Sequence, residues 1–390
     1  MGRRKANVEL PSASSAPVGE LVLLTRHGFG NRIRSVASAW WLAAEVDRSL
    51  HAVWLSNESC GAGFEDLFEA RLQTGDTLRV NSLTALSSSA LYQAECGSIS
   101  TGESDILSCY EPYGNRCVLH SSDVAPLLED DARVVLLTGA SVPATLRNRC
   151  PAQPARKEWN ERAGSKAERL HAYEHSVDGK LRGSFYRALV PSAAVREAMA
   201  PVLERVAAER AKAADAGEGL VVVGVHIRQG DALDAKNGFF NHEPSAHDDA
   251  YVGRFALEMN ALAASCVAGG KRALFFVASD QERARRQLRA SVGEAAIVEL
   301  PEAGRGGADE EAGPPAEGTG GGGGGKPVLA EGRVQRDRRA VQHAVAEWLL
   351  LARAVDVLIR SGRSSFSAEA ALMHNVRSID IAQDGSVMKG

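Results

Sequence analysis

The sequence lacks long hydrophobic runs, paired cysteine motifs and a strong excess of either charge. It has no run of about 18 consecutive apolar residues and no apolar core in residues 1–20, so neither a transmembrane helix nor a signal peptide is expected. A net charge of −4 provides no basic field, which argues against nucleic acid as a partner. The six cysteines include no C-x-x-C pair, so zinc-knuckle and thioredoxin-type sites are not expected either.

Apolar residues are plentiful enough to fill two hydrophobic cores. The chain has 390 residues, of which 44% are hydrophobic and 24% charged, and this favours a globular protein of two domains. We expect a flexible N-terminus at residues 1–19, a first domain at 20–190 and a second domain at 191–385. Glycine dominates the segment 302–332, which cannot bury enough apolar surface to fold and is expected to be a disordered insertion.

Apolar runs alternate with amphipathic segments in both predicted domains. The predicted strands cover residues 20–25, 52–55, 117–119, 133–137, 220–226, 273–278, 295–300, 356–360 and 377–381. The predicted helices cover residues 31–47, 193–214, 249–267, 281–291, 335–354 and 367–374. Strands that alternate with helices of this length indicate an α/β protein of Rossmann-like domains, the second with a doubly wound parallel sheet.

Four motifs place chemically capable residues where these strands end. They are GFGNRIR at 28–34, HIRQGD at 226–231, VASD at 277–280 and the glycine-serine turn of DVLIRSGRSSFSAEAALM at 356–373. An arginine held near a core needs an anion, and its planar guanidinium suits a phosphate or a carboxylate. Glycine and serine turns that lead into a helix supply amide and hydroxyl donors for a phosphate.

Each motif also has an ordinary structural explanation. A glycine-rich turn commonly connects a strand to a helix, and Arg228 could pair with Asp231 at a strand end. Asp280 directly precedes a predicted helix and could cap it, as could the serines at 364–367. Taken together, however, three motifs lie at strand ends of one parallel sheet and the fourth lies in the facing domain. This combination indicates a nucleoside diphosphate ligand held in a cleft.

In content and order, the four motifs resemble those of the fucosyltransferase superfamily. That group includes protein O-fucosyltransferases, α1,2- and α1,6-fucosyltransferases, plant cell-wall enzymes and bacterial nodulation relatives. The short matches span residues 21–374, and the glycine-rich insertion departs from the usual pattern. The resemblance implies a GT-B fold, in which two Rossmann-like domains face a cleft. It also implies transfer of fucose from GDP-fucose to a glycan or protein hydroxyl, with inversion at the anomeric carbon.

The resemblance implies no metal ion and no cofactor, and one feature of the sequence agrees. No Asp-x-Asp pair occurs, so the carboxylates that commonly hold a divalent ion on a nucleotide sugar are missing. Carried over by motif, Arg228 would contact the β-phosphate, while His226 and Asp280 would hold the ribose or guanine. The other donor-binding residues would be Gly30, Asn31 and Arg32 in the first domain, and Ser364, Ser365, Phe366 and Ser367 in the second.

The base that accepts the proton of the attacking hydroxyl is left open. Some relatives place a carboxylate directly before the first glycine motif, where this sequence has His27. Asp231 is a second candidate, and the reaction could also proceed through another group or with no base. We therefore expect Arg228, His27 and Asp231 to be the catalytic residues.

Two alternatives to a fucosyltransferase remain at this point. One is a related transferase that uses another nucleotide sugar, because phosphate-binding residues do not identify the hexose. The other is a non-catalytic member that binds GDP or a glycan.

Relatives of eukaryotic type imply the lumen of the ER or Golgi as the compartment.

Overall fold

A computed structural model describes residues 19–25, 28–56, 60–84, 106–110, 134–139, 177–228, 246–301, 337–362, 364–382 and 387–389. Within these ranges the chain forms two sheets and seven α-helices.

The first sheet has five strands and is parallel throughout. Its strands are β1 (Gly19–Thr25), β2 (Arg48–Ser56), β3 (Arg79–Thr84), β4 (Ile106–Tyr110) and β5 (Val134–Gly139), in the order β3-β2-β1-β5-β4. Helix α1 (Phe29–Glu45) connects β1 to β2. Its apolar residues recur at spacings of three and four, so Ile33, Val36 and Ala37 fall on one face and are fully buried.

Two helices follow the first sheet along the chain. Helix α2 (Val177–Ala188) packs on α1, and helix α3 (Ala193–Asp215) begins where Ser192 accepts a hydrogen bond from the Val195 amide, as an N-cap residue does. Along the chain, the two helices lie between the strands of the first sheet and those of the second. The domain boundaries themselves stay predictions.

The second sheet has six strands, of which only the last is antiparallel. Its strands are β6 (Gly219–Ile227), β7 (Lys271–Ser279), β8 (Ile297–Val298), β9 (Val357–Ser361), β10 (Arg377–Ile381) and β11 (Val387–Lys389), in the order β11-β10-β9-β6-β7-β8. The connecting helices are α4 (Ala246–Ala268), α5 (Glu282–Val292), α6 (Arg338–Arg353) and α7 (Ser365–His374).

Strand order reverses at one central strand of each sheet. In the first sheet this strand is β1, which lies between β2 and β5, and in the second it is β6, which lies between β9 and β7. Connections leave in opposite directions from such a point, and a crevice opens beyond the carboxyl ends of the strands. The segments after β1 and β6 are those with the GFGNRIR and HIRQGD motifs.

Side chains from both sheets contribute to one core. A cluster of buried residues runs from Leu23 of β1 through Trp348 of α6 to Phe276 of β7. A second cluster lies on the other face of the second sheet, where Val225 and Ile359 pack against Phe255 of α4. Helices therefore cover both faces of the second sheet, as a doubly wound parallel sheet requires.

The predicted architecture is confirmed, and several predicted elements differ from the observed ones at their ends. Helix α1 begins at Phe29, two residues before the predicted start, and α7 begins at Ser365 instead of Ser367. The strand predicted at 295–300 is wrong in length, because Glu294–Ala296 forms a 3-10 turn after Gly293 and leaves only two strand residues. The prediction at 117–119 and the insertion at 302–332 lie outside the described residues.

The structure adds three strands that the sequence did not predict. Strands β3 and β4 lie in a segment whose mixed composition gives no strand signal, and β11 pairs antiparallel with β10. No helix in the described part of the chain has the length and apolarity to cross a bilayer.

Candidate active site

The carboxyl end of β6 presents His226 and Arg228 beside β9. His226 is in register with Arg360 of β9 and with Ala278 of β7, so the three side chains share one face of the sheet. The backbone amide of Arg228 donates to Ser361 Oγ at 2.9 Å, directly beyond the last registered pair. The HIRQGD motif and the glycine-serine turn therefore meet at neighbouring strand ends.

His226 is a neutral imidazole at physiological pH. Burial lowers its pKa from 6.5 to about 3, and the positive charges of Arg228 and Arg360 act in the same direction. Its ring stacks on Phe366 with a centroid distance of 5.0 Å. Its Nδ1 atom is buried and has no hydrogen-bond partner within the described ranges. A buried ring nitrogen without a partner is available to a ligand.

Arg228 extends toward Asp280 at the end of the adjacent strand β7. Its Nε lies 3.5 Å from Asp280 Oδ2, and the side chains are 35% and 13% exposed. The capping explanation for Asp280 is wrong, because Gln281 is the N-cap residue of α5 and Ser279 Oγ accepts the Gln281 amide. The guanidinium is thus both held by a carboxylate and partly open to a ligand.

The serines at 364–367, which end the glycine-serine turn, form the N-cap and first turn of α7. Ser364 is the N-cap residue, but its side chain makes no capping hydrogen bond, so serine capping does not explain this residue. Ser365, Phe366 and Ser367 follow as the first helical residues. Ser367 Oγ is buried without a hydrogen-bond partner among the described residues. Amide groups and hydroxyls at a helix N-terminus attract an anion.

The N-terminus of α1 faces the N-terminus of α7. A Cβ atom placed on Gly30 would lie 3.3 Å from both Cα and N of Phe366, so glycine permits this close approach. Gly28 caps α1 through its backbone and has no side chain to fill the space. The partial positive ends of the two helices therefore lie close together, near the strand end where the Arg228 amide binds Ser361.

Asn31 and Arg32, the other residues predicted from the first motif, lie in different surroundings. Asn31 is partly exposed, and its Oδ1 accepts a hydrogen bond from Arg34 at 2.9 Å. Arg32 is fully buried, donates to the Leu55 carbonyl at the end of β2 and lies over the Trp54 ring at 5.5 Å. This burial argues against direct contact between Arg32 and a ligand, and indicates that Arg32 holds α1 against β2.

His27 and Asp231, the two candidate bases, lie outside the described residues. Their proposed role stays a prediction. Of the described residues nearest to them in sequence, Gly28 is the N-cap residue of α1 and Arg228 lies beside Asp280.

A buried charge network that was not predicted from the sequence connects α2 to α7. Glu369 of α7 accepts hydrogen bonds from Arg182 at 2.9 Å and from the Tyr186 hydroxyl at 2.7 Å. Burial and the Glu369 carboxylate raise the pKa of Tyr186. The only signal in the sequence was a glutamate inside the apolar run SAEAALM, which indicates a buried partner.

A second buried pair, Arg360 with Asp380, connects β9 to β10. The Arg360 guanidinium is bidentate on the Asp380 carboxylate, with an Nη2 to Oδ2 distance of 3.1 Å.

Among the described residues there is no group of three or more His, Cys, Asp or Glu side chains that could hold a metal ion.

Comparison with solved structures finds the same fold. A variant of FUT1 from Arabidopsis thaliana, solved in complex with GDP, is 15% identical, and the match covers 96% of this chain and 72% of that chain with a TM-score of 0.50. The fucosyltransferase NodZ from Bradyrhizobium is 16% identical over 95% of this chain and 98% of that chain, with a TM-score of 0.49. No protein-family model matches the sequence, and no curated protein matches it. The likeness to the plant enzyme confirms an α/β fold of GT-B type.

Proposed function

We propose that the chain is an inverting, metal-independent glycosyltransferase that moves fucose from GDP-fucose to a hydroxyl of a glycan or protein. The observation that carries the proposal is the meeting of Arg228, the α7 N-terminus and the α1 N-terminus beyond the carboxyl ends of the central strands. The plant fucosyltransferase of the same fold was solved with GDP, which supports a guanine nucleotide as the ligand.

The donor diphosphate would lie between the two helix N-termini. Arg228 would contact the β-phosphate, while the first-turn amides of α7 and the Ser364, Ser365 and Ser367 hydroxyls supply further donors. The buried Ser367 Oγ, which has no partner in the described part of the chain, supports such a contact. Gly30 would admit the phosphate close to the backbone, with Asn31 at its edge.

The nucleoside would lie over the ends of β6 and β7. Asp280 is a hydrogen-bond acceptor at the end of β7, and the neutral His226 ring offers an unpaired Nδ1 atom. A carboxylate and an uncharged imidazole can together bind the polar edge of guanine or the ribose hydroxyls. Phe366, stacked on His226, would shield this position from water.

Catalysis would depend on stabilising the leaving group. The acceptor oxygen attacks the anomeric carbon as the bond between that carbon and the β-phosphate oxygen breaks, and GDP leaves with the electron pair. The developing charge on the diphosphate would meet Arg228 and the two helix N-termini, which are already oriented, so the transition state is stabilised more than the ground state. These fixed positive groups would replace a metal ion. His27 or Asp231 would accept the proton of the hydroxyl.

A donor screen tests the proposal. Purified chain is incubated with GDP-fucose, GDP-mannose and UDP-sugars in the presence of EDTA, and release of nucleoside diphosphate is measured with and without a panel of glycan acceptors. We expect release from GDP-fucose alone, with the configuration at the anomeric carbon inverted. Release from another donor would identify a related transferase, and GDP binding without any release would identify a non-catalytic binding protein.

A further inference from the structure

Ser361, the last residue of β9, contacts three neighbouring segments through one hydroxyl. Its Oγ accepts the backbone amide of Arg228 at 2.9 Å and the hydroxyl of Tyr251 at 2.9 Å. The same hydroxyl lies 3.4 Å from the His226 carbonyl, to which it donates. Ser361 therefore holds the chain on both sides of Ile227, where β6 ends.

The ladder between β6 and β9 ends at this point, which explains why a side chain is needed. The register runs from Val223 with Val357 to His226 with Arg360. After Ser361 the chain turns away, and the Gly362 amide donates to the Ile381 carbonyl of β10 at 2.9 Å. No further β9 carbonyl follows in the ladder, so the Ser361 hydroxyl takes the place of a backbone acceptor for Arg228.

Tyr251 of α4 fixes the orientation of the Ser361 hydroxyl. The Ser361 hydroxyl donates its hydrogen to the His226 carbonyl, and its oxygen can accept two hydrogen bonds. The Arg228 amide donates one of them, and the Tyr251 hydroxyl donates the other. The Tyr251 hydroxyl also lies 3.3 Å from the Ile381 carbonyl, and its ring makes an edge contact with Phe255 at 5.3 Å. Tyr251 is thereby held on three sides.

The backbone of Ser361 also holds the serine motif. Its carbonyl accepts the Ser364 amide at 3.1 Å, and the Ser364 carbonyl in turn accepts the Ala368 amide in the first turn of α7. One residue thus determines the position of the Arg228 backbone and of the α7 N-terminus. Both groups were proposed above to contact the same diphosphate.

We propose that Ser361 and Tyr251 are positioning residues that hold Arg228 in line with the donor phosphate. The inference rests on the proposed function and adds two residues that contact no ligand. Both side chains are buried on the face of the second sheet that packs against α4, opposite His226. They act through the backbone of Arg228 and the start of α7.

Three variants test the inference in the full chain. In Ser361→Ala we expect kcat for GDP-fucose to fall by about 10- to 100-fold, because a displacement near 1 Å can cost about 10²-fold. Ser361→Thr retains the hydroxyl and should restore most of kcat. Tyr251→Phe keeps the ring and loses only the hydroxyl, so a smaller loss of kcat is expected. GDP affinity should change less than kcat in all three, because the phosphate donors are still present.

A double variant separates positioning from simple destabilisation. Since Tyr251 acts through the Ser361 hydroxyl, Ser361→Ala with Tyr251→Phe should have the same kcat as Ser361→Ala alone. Ser184→Ala is the matched control, because it removes an equally buried serine hydroxyl that donates to the Leu181 carbonyl within α2. We expect its kcat to be unchanged.

The outcomes separate the two proposals. If the wild-type chain releases GDP from GDP-fucose but Ser361→Ala and Tyr251→Phe have wild-type kcat, the positioning inference is overturned and the proposed function stands. If wild-type chain does not turn over GDP-fucose at all, both are overturned. The inference is also contradicted if Ser361→Ala loses kcat and Ser361→Thr does not restore it. The same holds if kcat of the double variant falls by the product of the two single losses. If Ser361→Ala fails to fold, Tyr251→Phe still decides the matter.

Discussion

Arg228 is the single side chain on which the proposed chemistry depends most. Its guanidinium lies 3.5 Å from Asp280 and is 35% exposed, so it is oriented by a carboxylate and still open to a phosphate. A guanidinium that is already oriented when charge develops stabilises a transition state without the cost of reorganisation. An ammonium group on a flexible stem does not reproduce its planar contacts.

We predict that Arg228→Ala and Arg228→Lys both lower kcat/KM for GDP-fucose by about 10²–10³-fold, the equivalent of about 2.7–4 kcal/mol. The fold should persist, because Arg228 follows the last residue of β6. Steady-state kinetics and circular dichroism measure the two effects. Arg254→Ala, which removes an exposed arginine from α4, is the control. Activity within a factor of about three of wild type in Arg228→Ala would remove this assignment.

His226 gives the folded chain a defined dependence on pH. Its pKa is about 3 in the folded state, mainly because the ring is buried, and 6.5 is its ordinary value. Both states are uncharged at this position above pH 6.5. As the pH falls from 6.5 toward 3, only the unfolded state binds the proton, so the free energy of unfolding decreases by about 1.4 kcal/mol per pH unit.

We predict that His226→Gln removes this contribution. Between pH 7 and pH 5, wild-type chain should lose about 2 kcal/mol more free energy of unfolding than the variant does. Urea unfolding of both proteins at each pH gives the change in the free energy of unfolding between pH 7 and pH 5. A difference in stability between the two proteins that is the same at both pH values does not affect this comparison. Equal pH dependence in the two proteins would show that His226 is not held neutral in the folded state.

At the scale of elements, the contact between α2 and α7 controls where the α7 N-terminus lies. Arg182 and Tyr186 of α2 bind Glu369 of α7, and Arg187 donates to the Met373 carbonyl at 2.6 Å. Gly183 lies at the closest point, where an added Cβ would be 3.0 Å from the Leu372 carbonyl carbon and closer still to its oxygen. Only glycine allows the two backbones to approach in this way.

We predict that Gly183→Ala lowers the free energy of unfolding by about 1–3 kcal/mol, because the clash is with backbone and not with a flexible side chain. The matched control is Gly253→Ala in α4, where no atom lies within 4 Å of the added Cβ. That substitution should raise stability by about 0.5–1 kcal/mol, since alanine favours a helix over glycine. A rise in the free energy of unfolding in both variants would contradict the packing described for α2.

Most elements were predictable because their signals are local. Strand β10 was predicted at its observed bounds, and β6 and β7 to within two residues at each end, since a continuous apolar run can be read without knowledge of the fold. Helix starts were less accurate: α1 and α7 begin two residues before their predicted starts, α4 begins three residues before its predicted start, and α6 begins three residues after it. Strands β3 and β4 gave no clear signal because their composition is mixed.

The site was predictable only in part, because several of its contacts join residues far apart in sequence. The motifs pointed to His226 and Arg228 at the end of β6 and to the serines that follow β9. They could not reveal Ser361 as the acceptor of the Arg228 amide, since 133 residues separate the two. Arg32 was predicted to bind the donor but is fully buried. Its position in the motif does not say whether the side chain points to the cleft or to the core.

At the scale of the whole molecule, side chains from both sheets share one core. The first turns of α1, which follows β1, and of α7, which follows β9, lie against each other at Gly30 and Phe366, and both helices contribute to one core that includes Trp348. Phe29 contacts both Trp348 at 5.5 Å and Phe366 at 6.3 Å, so aromatic side chains support both helix N-termini. A diphosphate between these N-termini would link the two halves.

We predict that GDP stabilises the chain without any added metal. At a GDP concentration 100 times its Kd, the free energy of unfolding should rise by about 2.7 kcal/mol, and EDTA should leave the rise unchanged. Thermal unfolding with GDP, and with UDP as the control nucleotide, measures the effect. A rise that EDTA abolishes would contradict the metal-independent site.

The most direct test of the central claim is a crystal structure of the chain with GDP. The account predicts the β-phosphate within about 3.2 Å of the Arg228 guanidinium and of amide or hydroxyl donors in the first turn of α7, with Gly30 facing it from α1. A diphosphate bound elsewhere, or one bound here through a metal ion without contact to Arg228, would contradict it.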